Sequence, residues 1–282
     1  MLKKKIGFIG GDKRIACLYN MVKEDGRNPE AYFMDVEDSK DKLPQMLDLD
    51  VLIGPVPLCK PVPLLNAKEG SYADVYEVVN KMKPGSVFAA GIIPKELAEF
   101  ASEQGISVFD YAATEEFQIL NAEITAEGTV KIALSNGNKT LKDAKVLILG
   151  YGRIGKALCN VLTGFHGDFT VTARKVKDLS YILVNGYKGI HTADIKQAVD
   201  QFDIIINTIP ALVLTKEVLD CVKKDALIID LASIPGGTDF DYAQKRGIKA
   251  EHALSIPGKF FNYSASTVIY KILRNKSILE SD

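Results

Sequence analysis

Gly150-Tyr151-Gly152-Arg153-Ile154-Gly155 carries the clearest chemical signal in this 282-residue sequence. G-x-G-x-x-G spacing suits a turn whose backbone amides face a pyrophosphate. Lys145–Leu149, a buried-strand pattern, leads directly into it, and a helix with Ala157, Leu158, Val161 and Leu162 on its apolar side follows. Gly150 would permit the tight turn, Gly152 the approach of backbone to phosphate, and Gly155 close helix–strand packing. The phosphate charge would lie at the helix N-terminus, beside Arg153 and Ile154. A bound dinucleotide is therefore expected.

The next strand addresses which dinucleotide. An NAD site places Asp or Glu about 20 residues after the motif, on the ribose 2′-hydroxyl. Here Phe169–Thr172 runs into Ala173-Arg174-Lys175. Two cations at that position favour NADP over NAD, because a guanidinium can hold a 2′-phosphate bidentately. The bland alternative is a solvated loop. Ligands in open parallel sheets lie at strand carboxyl ends. Asn207, Thr208 and Pro210, closing the run Ile204–Asn207, are thus expected on the nicotinamide side. After Leu227–Asp230 come Ser233 and the Gly236-Gly237 pair, whose amides would approach a substrate carboxylate. Asp239 reads most simply as a helix cap.

The first strand–helix turn, Gly10-Gly11-Asp12-Lys13-Arg14, lacks the full glycine motif. Gly11, Asp12 and Arg14 are candidates for holding a carboxylate; Asp12 as a plain N-cap is the equal alternative. His252 follows the last strand and is a candidate proton acceptor, whereas His166 and His191 read as surface residues. No metal-binding spacing occurs, and no metal is expected. Cys17, Cys59, Cys159 and Cys221 form no Cys-x-x-Cys pair, so they are expected to be buried, reduced thiols.

These groups need elements to hold them. Short apolar runs (Ile6–Ile9, Ala31–Met34, Val51–Gly54, Val87–Ala90, Val108–Phe109, Val146–Leu149 and onward) alternate with amphipathic segments such as Pro94–Gln104. That alternation predicts an α/β fold: two Rossmann-like domains with mostly parallel sheets, joined by a helical hinge. The strand-and-glycine pattern starts twice, at Lys5 and at Lys145, and 87–108 is faintly echoed in 227–250. Thr114–Ser135 has helical spacing broken near Gly128 and reads as the hinge. The expected division is 1–130, a substrate-side domain, and 131–282, an NADP-binding domain. An amphipathic helix at 264–278 is expected to pack back on the first domain.

Net charge of −1, from 35 basic and 36 acidic residues, argues against nucleic-acid or polybasic membrane binding. With 47% apolar and 25% charged residues the chain should fold. No apolar run is long enough to span a bilayer, and Met1-Leu2-Lys3-Lys4-Lys5 lacks a signal-peptide core, so a cytoplasmic location is expected.

The sequence resembles the dipicolinate synthase A-subunit family over nearly its whole length. The resemblance rests on Ile9–Arg14, Thr125-Ala126-Glu127-Gly128-Thr129, Leu149–Gly155, Ile206–Pro210, and above all Asp230–Phe240. It implies a fold like that of D-2-hydroxyacid dehydrogenases and adenosylhomocysteinases. The implied activity is NADP-dependent oxidation of a dihydrodipicolinate-type product of the lysine/diaminopimelate pathway to pyridine-2,6-dicarboxylate. It also implies a homo- or hetero-oligomer, a flavoprotein-like B-subunit, and the mother-cell cytoplasm of a sporulating bacterium. Arg14, Ser233 and the Gly236-Gly237 turn are the expected substrate contacts, with Thr125 beside them, and Glu127 or His252 would accept a proton. One segment departs: after Pro257-Gly258 the family continues with an Ala-Pro-Lys-Thr-Ala-Gly-like string. Here Asn262 and Tyr263 replace proline and lysine, and Tyr263 cannot supply the lysine charge. Two alternatives stay open: a non-catalytic subunit that binds NADP and substrate and needs a flavoprotein partner, or a two-domain dehydrogenase of 2-hydroxy or amino acids.

Overall fold

Continuous apolar runs become strands covered on both faces, as parallel sheets require. The computed structural model describes residues 4–280, so part of the expected leaderless start, Met1-Leu2-Lys3, lies outside the described residues. The chain divides into two units: the chain up to Asn121 together with the chain from Pro257 onward, and 122–256.

In the first unit β1 (Ile6–Ile9) is followed by α1 (Lys13–Glu24), β2 (Glu30–Tyr32), β3 (Val51–Ile53), α2 (Val75–Lys81), β4 (Val87–Ala90), α3 (Lys95–Glu103) and β5 (Ser107–Asp110). All the pairings are parallel, in the order β2-β1-β3-β4-β5. The order reverses beside β1, which makes the ends of β1 and β3 a switch point. Ile9, Leu52, Val79, Phe88 and Leu97 form part of the core. Asp12 and Asp74 cap α1 and α2 by accepting from Arg14 N and Tyr76 N.

Helix α4 (Glu115–Asn136) carries the chain from one unit to the other. The expected break near Gly128 is absent: the helix runs on for 22 residues. One glycine costs a helix only about 1 kcal/mol relative to alanine, and Gly128 is buried between Glu127 and the buried Thr129. The unit boundary falls within this helix at 121/122, earlier than the expected 130.

The second unit comprises β6 (Lys145–Leu149), α5 (Arg153–Gly164), β7 (Asp168–Ala173), α6 (Val176–Val184), β8 (Lys188–His191), α7 (Ile195–Ala198), β9 (Ile204–Asn207), α8 (Lys216–Leu219), β10 (Leu227–Asp230), α9 (Phe240–Arg246) and β11 (Lys249–His252). Its parallel order, β11-β10-β9-β6-β7-β8, is that of a Rossmann sheet with the switch between β6 and β9. β8 has no apolar run to announce it; it is an edge strand with three of its four residues exposed. After α10 (Ile256–Phe260), α11 (Asn262–Asn275) packs along α1, and Ser266 Oγ donates to the Arg14 carbonyl at 2.6 Å. The last residues therefore belong with the first unit, not with the expected 131–282 domain.

No disulfide forms among the four cysteines. Only Cys159 is buried, and burial pushes its thiol up to about 12; the other three are half-buried.

At the opposite end of the second sheet, burial of Asp203 acts to raise its pKa. Hydrogen bonds from Lys145 N, Lys223 and Lys139 outweigh it and hold the carboxyl at about 2, below its usual 3.8. A depressed carboxylate contributes stability above the unfolded pKa and loses it as pH falls through the folded one. Asp203→Asn should therefore be less stable than the parent by a constant margin above pH ~4. That margin should narrow between pH ~4 and ~2, as checked by urea melts across the range.

Candidate functional site

The glycine motif forms the turn from β6 into α5. Gly150 has φ +101°, and a Cβ there would lie 2.6 Å from Thr208 Oγ1. At Gly155 a Cβ would fall far inside contact with the Gly150 carbonyl, so the helix can start this close to the strand only with glycine. Gly152 is the N-cap of α5, in extended geometry, and open space lies where its Cβ would point. A helix start without a side-chain cap and with an unfilled approach fits a dinucleotide pyrophosphate.

Around this turn lies a cavity of about 310 Å³. Gly150, Tyr151 and Gly152 line it from the first turn, Ala173, Arg174 and Lys175 from the end of β7, and Thr208, Ile209 and Pro210 from the end of β9. Asp178 and Thr192 complete the wall. The cation pair and glycine motif read from sequence are thus brought together. Asp178, in the first turn of α6, was missed; it lies beyond the strand end where a ribose-binding acid is sought. Arg153 is exposed and Ile154 half-buried at the start of α5.

Asn207, expected on the cofactor, is wholly buried beneath the turn instead. Its amide clamps the turn through Ile209 N and Ile209 O, and its Nδ2 also donates to Asp230 Oδ1 at 2.9 Å. Asp230 is likewise fully buried. Its carboxylate accepts three further bonds, from Ala232 N (3.0 Å), Gly237 N (2.8 Å) and Thr238 Oγ1 (2.6 Å). Its position at the carboxyl end of β10 was legible, but its hub role was not.

This hub shapes a second cavity of about 460 Å³, lined by Leu212, Pro235, Gly236, Phe240 and others and sharing Pro210 with the first. The amides expected to meet a substrate carboxylate are already engaged. Gly236 N donates to Ser233 O at 2.8 Å, and Gly237 N is held by Asp230. Tightening a loop this far uses its own donors. Ser233 is exposed. His252 stacks on Phe240 (centroids 5.1 Å apart) and bonds the Ala232 carbonyl through Nε2 at 2.7 Å. A carbonyl only accepts, so Nε2 carries a proton; in the neutral ring Nδ1 is then the acceptor. Asp239 caps α9 by accepting from Tyr242 N at 3.0 Å, the bland role. Glu127 is exposed on α4, and Thr125 is buried there with its carbonyl taken by Thr129 Oγ1.

In the first unit Arg14 is buried and committed. Nε and Nη2 donate to Asp12 at 2.8–3.0 Å, and Nη2 also to Val56 O at 2.7 Å. The guanidinium expected to bind a carboxylate ligand holds the protein's own instead, tying the β1–α1 turn to the β3 loop. Gly11 is buried in the same turn, with its amide on Asn66 O.

A Rossmann unit with its glycine turn at the switch point, following a second parallel α/β unit, is the architecture of two-domain dehydrogenases. The chain has the fold of that class. Residues 5–112 match the N-terminal domain of the dipicolinate synthase A-subunit, and residues 111–233 match the NAD binding domain of D-isomer specific 2-hydroxyacid dehydrogenases. The dipicolinate synthase A-subunit of Bacillus subtilis (strain 168) is 34% identical over 66% of this chain; the match spans 63% of that relative, under two thirds of its length. The crystal structure of the dipicolinate synthase A-subunit from Bacillus halodurans superposes with TM-score 0.88 at 27% identity, covering 100% of both chains. A transhydrogenase from Sinorhizobium meliloti, at 16% identity and TM-score 0.68 over 98% of this chain and 95% of its own, shares the fold. Over these spans the chain is similar to dipicolinate synthase A-subunits.

Two glycine variants separate fold from binding. Gly155→Ala should cost about 1–3 kcal/mol by overpacking against Gly150, read as a lowered melting temperature. Gly152→Ala should melt like the parent, yet bind dinucleotide about ten-fold more weakly because the methyl occupies the phosphate approach. Fluorescence titration with reduced dinucleotide measures the second effect.

Proposed function

We propose that this chain is the dehydrogenase component of a dipicolinate synthase, oxidising a dihydrodipicolinate-type cyclic dicarboxylate to dipicolinate with NADP. The observation that carries this reading is the match of residues 5–112 to a domain particular to that synthase, beside a dinucleotide-binding unit. A bound nicotinamide supplies the hydride acceptor. Ring aromatisation drives the loss of hydride and proton, so the protein's task is to hold the ring and take the proton. His252 is suited to that, with Nε2–H anchored on Ala232 O and the Nδ1 lone pair left to accept.

NADP is favoured by Arg174 and Lys175 lining the 310 Å³ cavity where an NAD site has a carboxylate. Asp178 in the same wall favours NAD and makes that the second reading of the cofactor. Arg174→Ala should weaken NADP binding about ten-fold, as loss of a charge-assisted phosphate contact does, and leave NAD binding unchanged. Equal effects on both dinucleotides would reverse the preference.

A specific observation supports a partner-dependent alternative. The 460 Å³ cavity carries two acids, Asp239 and Asp241, and no cation, and Arg14 is taken by Asp12. These residues by themselves do not hold a dicarboxylate. In this reading the chain binds dinucleotide, and chemistry requires a flavoprotein-like B-subunit. NADPH formation followed by absorbance, with the purified chain alone and then together with the B-subunit, separates the two. Turnover by the chain alone supports the first; turnover only in the pair supports the second. Sporulation in a mother-cell cytoplasm is the setting this family implies. No described helix is long and apolar enough to cross a membrane.

A further inference from the structure

His191 read as a surface residue in the sequence, and it is exposed at the end of β8. Its ring nevertheless makes two specific contacts. In the parallel register His191 lies opposite Ala173, the last residue of β7. That register brings its imidazole to the turn carrying Arg174 and Lys175. Nε2 lies 3.0 Å from the Arg174 carbonyl, and Nδ1 accepts from Ala193 N at 3.2 Å. The carbonyl can only accept, so Nε2 bears the proton and Nδ1 the lone pair. One neutral ring thus joins two segments of the cavity wall, 173–175 from β7 and Thr192 from the turn after β8.

The Lys175 carbonyl is held by the first amides of α6, Asp178 N and Leu179 N, and the His191 bond adds an anchor one residue earlier, at Arg174. Arg174, Lys175 and Val176 are all exposed, and α6 begins at once without a side-chain cap. A phosphate clamp on a mobile backbone binds weakly, because ordering it opposes binding. We propose that His191 is a positioning residue for dinucleotide choice: its hydrogen bond to the Arg174 carbonyl holds the 174–175 turn where its cations meet a 2′-phosphate. This rests on the NADP reading above. His191 touches backbone, not ligand, and acts through Arg174.

The test compares NADPH and NADH affinities of the purified full chain by fluorescence titration. The variants are His191→Ala, His191→Gln and Arg174→Ala. Gln retains an N–H that can reach the carbonyl; Ala does not. His191→Ala should weaken NADPH binding about five-fold, the scale of one hydrogen bond, and leave NADH binding unchanged. His191→Gln should restore most of the loss. A general structural defect would lower both affinities together and overturn the proposal, as would no change in either. Arg174→Ala is the control: if it discriminates the two dinucleotides and His191→Ala does not, the positioning role fails while the NADP reading survives. If Arg174→Ala shows no discrimination, the NADP reading fails and the inference with it.

Discussion

A carboxylate shut away from water needs donors around it, and Asp230 has four: an amide side chain, two backbone N–H groups and a hydroxyl. Asn207 brings the turn that walls the 310 Å³ cavity, and Gly237 and Thr238 bring the loop beside the 460 Å³ one. Ala232 links onward to His252 through its carbonyl. Removing the acceptor would strand several buried donors at once, each worth about 1–3 kcal/mol when unpaired. The ends of β9 and β10 are therefore one hydrogen-bonded body rather than two loops.

The architecture was legible because its signals are local. Apolar runs such as Ile204–Asn207 announce buried strands, and Gly150, Gly152 and Gly155, set between a strand pattern and a helix pattern, announce the glycine turn. What escaped depends on partners far apart in sequence. Gly236 and Gly237 look like free amides until Ser233 and Asp230 are seen to occupy them. Arg14 looks like a ligand-binding cation until Asp12, two residues away, is seen to fold back on it. Asn207 is a polar residue at a strand end, as cofactor contacts are, yet it faces inward. β8 escaped because an exposed edge strand has no apolar run, although His191 was expected near a strand end at the surface, where it lies.

The same distinction governs the two glycine-bearing first turns. Both follow a buried strand and start a helix. In the first unit the turn is closed by its own charges, with Asp12 capping α1 and clamping Arg14. In the second the cap position is Gly152, which offers no side chain, and the helix start stays open. One residue type at the cap separates a turn that satisfies itself from one that leaves its amides for an anion.

Helix α11 lies along α1, and the segment between them in sequence includes the entire second unit. On the ribosome, where the chain emerges from its N-terminus, the 122–256 unit has all its strands before α1 has its partner helix. The first unit is begun first and finished last. Until then the apolar face of α1 that α11 covers stays open, so the order of synthesis makes this face the exposed surface of the nascent protein.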